Sequence, residues 1–180
     1  MTERAPNAAS GTQHVTSSAA FKTGMRKLAN GVSIVCAHTA AGQPVGMTVS
    51  SATSLTANPP TLLVCINRST ELARALTANA PFSVNVLSAS QETVARAFGG
   101  QIDVRGADRF AHGSWRRSTV GEVPILVDCR ATFECTVAHV HDWQSHHIVI
   151  GSVIDVHFPV RDSAPLIYVD ANYSTLTSGP

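Results

Sequence analysis

Residues 48–51 read Thr-Val-Ser-Ser, and they stand in a stretch, 46–70, that sets small hydroxyl side chains beside an apolar strand. Small side chains leave room for a flat ring, and hydroxyl and backbone groups can bond its polar edge. Donors on Thr48, Val49, Ser50 and Ser51 aimed at a ring that gains negative charge on reduction would favour hydride uptake. A Ser/Thr-rich strand end and turn has the same composition, and composition alone favours that plainer reading. The apolar strand ends in Asn67-Arg68-Ser69. Ser69 and Thr70 lie at a predicted helix start, where unpaired N–H groups and the helix dipole attract phosphate, and Arg68 adds charge. An ordinary serine N-cap would look alike. Taken together, the ring-sized space and the phosphate-ready turn point to a nucleotide cofactor.

Other chemistries fare worse. His139, His141, His146 and His147 fall within nine residues, which invites a metal. Yet His139 and His141 share one strand face, Asp142 is expected in the turn, and no Cys or second carboxylate is spaced to complete a tetrahedral set. His146 stands out as a polar group at the mouth of the last long hairpin, though a simple turn histidine has the same address. No Gly-x-Gly-x-x-Gly follows a strand and no Gly-x-x-x-x-Gly-Lys-Ser/Thr occurs, so a nicotinamide would have to bind without the dinucleotide fingerprint. A Gly-x-Ser-x-Gly elbow is also absent, which weakens Ser-His-Asp hydrolysis.

The elements that must position these residues are mostly strands. Phe21, Met25 and Leu28 follow helical spacing, with Ser17 or Ser18 as cap and Gly31 as stop. Residues 32–38 and 47–50 read as strands around a turn at 40–46. Asn58-Pro59-Pro60 forces an extended entry to the strand 61–67, whose Leu-Leu-Val-Cys-Ile core reads as buried on both faces. A short helix begins at Ser69 with Leu72, Ala73 and Leu76 inward, and residues 82–87 form a strand. Ser88 and Gln91 fit a capping box for a helix through Val94, Ala95 and Phe98 that stops at Gly99-Gly100. Residues 101–122 read as loop. Residues 130–141 alternate, with Ala131, Phe133, Cys135 and Val137 on one face and Thr132, Glu134 and Thr136 on the other. Residues 148–158 follow as the hairpin partner and 166–169 close the set. About seven strands without βαβ alternation predict a mainly β fold with short helices, a closed β-barrel instead of a Rossmann sheet.

The chain has 180 residues, 44% hydrophobic and 14% charged, with a net charge of +1. That fits one domain with a sizeable core and argues against nucleic acid, because the thirteen basic residues are scattered. No apolar run reaches the roughly 20 residues of a membrane helix. Residues 1–18 are polar and lack a signal-peptide core, so they read as a disordered tail, with the domain over 19–178 and a cytoplasmic location. Cys36, Cys65, Cys129 and Cys135 have no Cys-x-x-Cys spacing and read as reduced thiols.

In order along the chain come Phe21-Lys-Thr-Gly-Met-Arg-Lys-Leu-Ala-Asn-Gly-Val-Ser-Ile-Val, Gly46-Met-Thr-Val-Ser-Ser and Asn58-Pro-Pro-Thr-Leu-Leu-Val-Cys-Ile-Asn-Arg-Ser. They are followed by Phe82-Ser-Val-Asn-Val-Leu-Ser, Asp108-Arg-Phe and Leu166-Ile-Tyr with Tyr173. Their order and spacing resemble the short-chain flavin reductases, the NAD(P)H:flavin oxidoreductase components of two-component aromatic monooxygenases, over residues 21–176. The resemblance implies a Greek-key split barrel, homodimeric, with FMN or FAD at the subunit interface. It implies ring contacts from Thr48, Val49, Ser50 and Ser51, joined by Ser54, and further contacts from Cys65, Ile66 and Asn67. Arg68 and Ser69 would take the phosphate side, with Phe82, Asn85 and Tyr173 near the cofactor.

The family's Gly-Thr-His turn maps onto Gln144-Ser145-His146 with Gly151 downstream, which places His146 by the nicotinamide. Gln144 and Ser145 depart from Gly-Thr. Asp170-Ala171-Asn172 stands where the family often carries basic residues, which favours NADH over NADPH. The implied reaction is hydride transfer from nicotinamide C4 to flavin N5, with reduced flavin diffusing to a separate oxygenase. Two rival readings are a non-catalytic flavin- or haem-binding split barrel and a pyridoxamine-phosphate-oxidase-like enzyme. The latter would be expected to carry more Arg and Lys around its phosphate pocket.

Overall fold

A computed structural model describes residues 16–176. Most of the expected 1–18 tail, and the end of the expected 19–178 domain, lie outside the described residues. In chain order the helices are α1 (Ser18–Met25), α2 (Glu71–Ala75) and α3 (Glu92–Phe98). The strands are β1 (Asn30–Gly31), β2 (Ser33–His38), β3 (Pro44–Val49), β4 (Thr53–Ala57), β5 (Pro60–Asn67) and β6 (Pro81–Val86). After these come β7 (Trp115–Arg117), β8 (Pro124–Leu126), β9 (Ala131–Trp143), β10 (His146–His157), β11 (Leu166–Val169) and β12 (Asn172–Thr175). The fold is mainly β with a few short helices.

Seven strands form one antiparallel sheet in the order β3-β2-β6-β9-β10-β5-β4. Its two edges, β3 and β4, are consecutive in the chain and joined by residues 50–52 alone. A flat sheet of this width would set its edges about 29 Å apart at ~4.8 Å per strand, whereas the linker reaches about 14 Å at most. The sheet must therefore curl until its edges approach. Ser51 ties the linker to β5: its Oγ accepts from the Cys65 N–H at 3.0 Å and donates to the Cys65 carbonyl at 3.3 Å. Among the described residues no ladder joins β3 to β4, so the sheet is curled but open.

Period-two alternation builds the core. Along β2, Val35 and Ala37 enter a cluster inside the curl with Val64, Ile66, Phe82, Val84 and Val149. Ile34 and Cys36 enter a second cluster with Val94, Ala95 and Phe98 of α3. Gly46 lets α3 approach, since a Cβ there would lie 2.9 Å from Phe98 Cε1.

Several expectations are corrected. The first helix stops at Met25 instead of Gly31, because Asn30 and Gly31 pair with Tyr168 and Ile167 as a strand. β5 is buried on one face only, with Leu62, Val64 and Ile66 inside and Leu63 and Cys65 half-buried outside. The second helix begins later, with Thr70 and not Ser69 as its cap: Thr70 Oγ1 accepts from Ala73 N–H at 3.2 Å. The loop at 101–122 contains a 3₁₀ turn (Gly106–Ala111) and β7, which pairs with β8. Residues 119–120 of that segment cover Glu134, and Asn85 and Cys129 enclose Thr132, so both residues, expected on the solvent side, are buried. Thr132 Oγ1 donates to Asn85 Oδ1 at 3.2 Å, and Glu134 takes donors from residues 119–120. Asp142 lies in β9, not in the turn. The Ser88–Gln91 capping box forms as expected and leads into α3. All four cysteines are unpaired, with burial pushing the Cys36 thiol up and Cys135 up to about 12.

Candidate functional site

The end of β3 and the linker after it form the centre of the site. β3 is an edge strand, so alternate backbone N–H and C=O groups point away from β2 into open space. The hydroxyls of the 48–51 run divide their work. Thr48 Oγ1 donates to the Ala95 carbonyl at 2.7 Å and fastens β3 to α3. Ser51 is committed to Cys65. Ser50 is exposed and lines two clefts at once. One cleft, about 170 Å³, runs between Thr48, Val49, Ser50, Gly99 and the tyrosines 168 and 173. The other, about 390 Å³, is mostly apolar and opens beside β4 over Ser54, Val84, Phe133 and Val153.

Tyr173 is half-buried in the first cleft. It meets Tyr168 edge-on at 5.2 Å, and the Arg96 guanidinium sits 5.0 Å from its ring centroid. Burial raises the Tyr173 pKa, Tyr168 adds to the rise, and Arg96 pulls the other way. Arg96 itself is held by Glu92 at 2.6 Å and by Gln101 Oε1 at 3.1 Å.

The Asn67 turn is organised locally. Asn67 Oδ1 accepts from the Ser69 N–H at 3.0 Å and the Ser69 hydroxyl at 2.9 Å, while Thr70 Oγ1 donates to the Asn67 carbonyl at 2.8 Å. Arg68 turns to the β9–β10 hairpin: its Nη1 donates to Gln144 O at 3.2 Å and its Nη2 lies 3.5 Å from Asp142. In register, His146 stands opposite Asn67 on one side and Trp143 on the other. Ser145 Oγ lies 2.9 Å from His146 Nδ1. Gln144 takes a left-handed φ of 50°, the conformation glycine would adopt at this turn position.

The structure thus groups Thr48, Val49, Ser50 and Tyr173 around one cleft, places Ser54 on its neighbour, and sets Asn67, Arg68, Ser69 and His146 together at the adjoining ends of β5 and β10. Cys65 lies between, half-buried. Ile66, Phe82 and Asn85 are fully buried. Ile66 and Phe82 fill the core inside the curl. Asn85 Nδ2 donates to Ile34 O and Ser83 Oγ, and its Oδ1 accepts from the Leu126 N–H, so the amide braces β6 internally.

Sequence reasoning left out Arg96 and Arg109 as site residues. Arg96 had a signal, the i, i+4 pairing with Glu92, but nothing along the chain links it to Tyr173. Arg109 belongs to the Asp108-Arg-Phe mark. It is half-buried, donates weakly to Val104 O at 3.4 Å and Gly46 O at 3.5 Å, and lines a cleft of about 200 Å³ with Met47, Thr70 and Glu71. Among the described residues no carboxylate pairs with it, and no group of three His, Cys, Asp or Glu could hold a metal. No described helix is long and apolar enough to cross a membrane.

Residues 25–177 match the profile of the Flavin reductase like domain. An FMN reductase (NADH), RutF 1 of Methylorubrum extorquens, is 38% identical over 162 residues, covering 90% of this chain and 78% of that protein. The nitrilotriacetate monooxygenase component B of Mycobacterium thermoresistibile has a similar structure, with a TM-score of 0.79, 30% identity, and 88% of this chain and 86% of that one covered. Flavin reductase HpaC, solved with NADP+, gives a TM-score of 0.80 at 29% identity over 90% of this chain and 99% of the other. With its curled antiparallel sheet and the cleft at the end of β3, this chain belongs to the flavin reductase-like family.

Proposed function

We propose that this chain is an NADH-dependent flavin reductase acting through residues 19–178 as one unit. The observation that carries it is the cleft at the end of β3, lined by small side chains and Tyr173, in a chain of this family. The residues suit a flavin: Ser50, Gly99 and the unpaired β3 edge fit a flat ring with a polar rim, and Arg109, in the cleft beside Met47, offers charge to a phosphate. The flavin supplies the hydride-accepting ring and NADH the hydride. The chain supplies orientation, donors on the 48–51 segment, and His146 on the nicotinamide side. No side-chain nucleophile is needed.

A cleft of about 170 Å³ is smaller than the ~300–1,000 Å³ that usually encloses a ligand of this size. That supports a homodimeric split barrel in which a second copy completes the site. The helix α1 agrees, since it buries no residue, and Phe21 and Met25 on it and Leu28 just after it are exposed. Reduced flavin would then pass to a separate oxygenase, by analogy with the monooxygenase component above. The Asp170 carboxylate, paired with Lys27 at 2.6 Å on the hairpin bearing Tyr173, disfavours an extra phosphate and supports NADH as the reductant.

The test is NADH oxidation by the purified protein with FMN or FAD present. Flavin-dependent turnover is expected, and flavin binding without NADH oxidation would sink the proposal.

A further inference from the structure

The tip of the β9–β10 hairpin is clamped to the end of β5 through one half-exposed carboxylate. Asp142 Oδ1 lies 2.6 Å from His147 Nδ1, and its Oδ2 lies 3.5 Å from Arg68 Nη2. Arg68 also donates from Nη1 to Gln144 O at 3.2 Å and from its backbone N–H to Ser145 O at 3.0 Å. Two of these contacts reach the turn residues Gln144 and Ser145 directly, and the other two, through Asp142, hold the residues on either side of it. Hairpin tips beyond the last ladder pair are ordinarily among the looser parts of a sheet. This one is pinned from both sides.

The pinned turn decides where His146 points. Ser145 Oγ occupies His146 Nδ1 at 2.9 Å, which leaves Nε2 as the outward nitrogen. His146 stands beside Asn67 in register and directly follows Ser145 and the left-handed Gln144. Arg68, with its charge matched by Asp142, braces the hairpin. An exposed ion pair adds little stability, so what this one offers is geometry.

We propose that Asp142 is a positioning residue: by holding Arg68 and His147 it fixes the Gln144-Ser145 turn so that His146 presents Nε2 beside the Asn67–Ser69 end of the site. This rests on the reading that His146 faces the nicotinamide. The test uses the full chain, varying NADH at saturating FMN for Asp142→Asn, Asp142→Glu, His146→Ala and the Asp142→Asn/His146→Ala double variant.

Asp142→Asn should raise the KM for NADH about tenfold, with the KM for FMN and the melting temperature unchanged, and Asp142→Glu should recover part of the loss. In the His146→Ala background, Asp142→Asn should add nothing. Where turnover of the double variant is too low, NAD+ affinity of the flavin-loaded protein gives the same comparison. An impaired His146→Ala beside a silent Asp142→Asn overturns the proposal and leaves the His146 reading intact. Equal losses in both backgrounds overturn it too, because Asp142 would then act by another route. A silent His146→Ala overturns that reading and the proposal with it.

Discussion

Glu134 is fully buried, yet its carboxylate is well supplied with donors. The Thr119 hydroxyl donates at 2.8 Å, the Val120 N–H at 2.9 Å and the Thr119 N–H at 3.1 Å, and His157 Nε2 lies 2.6 Å away. Burial alone would raise its pKa, but the bonds from Thr119, His157 and Val120 outweigh it and hold the pKa below the ordinary 4.5. A depressed carboxylate stabilises the fold above its unfolded-state pKa, and that contribution is lost as pH falls through the folded value. Glu134→Gln turns an N–H₂ toward backbone donors and should cost about 2–3 kcal/mol. It should also flatten the acid limb of a plot of melting temperature against pH; an unchanged limb would count against this account. Ala171 offers the opposite case. The Asp170-Ala171 turn holds φ of 50° and 64°, the two left-handed residues of a type I′ hairpin. Ala171→Gly should gain about 1 kcal/mol, or about 2–4 °C in melting temperature for a chain of this size.

At the scale of elements, legibility followed how much of a strand's fate was decided along the chain. The capping box at Ser88, the strand through residues 82–87 and the long final hairpin rest on local pattern and period two, and they form as read. β4 was missed because all five of its residues are exposed and carry no alternation. The alternation of β9 misassigned Thr132 and Glu134 because a distant segment, not solvent, covers that face. The site divides the same way. Small hydroxyl residues marked the end of β3, but which hydroxyl serves Ala95, which serves Cys65 and which stays exposed depends on partners remote in sequence. The same remoteness hides a packing demand at Gly151 of β10, where a Cβ would lie 2.4 Å from Phe82 Cζ. Phe82 is fully buried and cannot swing away. Gly151→Ala should cost about 1–3 kcal/mol by overpacking, and Phe82→Leu should recover part of that loss in the double variant.

For the whole molecule, the proposed dimer makes α1 the helix to test. A lone helix of eight residues is marginal in water, and this one buries none of them. It therefore needs a surface that the other described residues do not provide. Under the dimer reading, sedimentation should give twice the 18.9 kDa chain mass. Phe21→Asp, placing a charge on the exposed apolar stripe, should shift the protein toward single chains and weaken flavin binding in step. A Phe21→Asp variant that keeps its mass and its affinity would remove α1 from the interface. The strand order has a further consequence for a chain leaving the ribosome. β5 finds its second neighbour only when β10 arrives, with Cys65 opposite Ile148, and β2 must wait for β6. The β4–β5 hairpin is made early and stands with an open flank while most of the chain is still being synthesised. Folding should accordingly be slow and dominated by non-local pairing, and the vulnerable species is this nascent hairpin, whose unpaired flank is a ready template for aggregation.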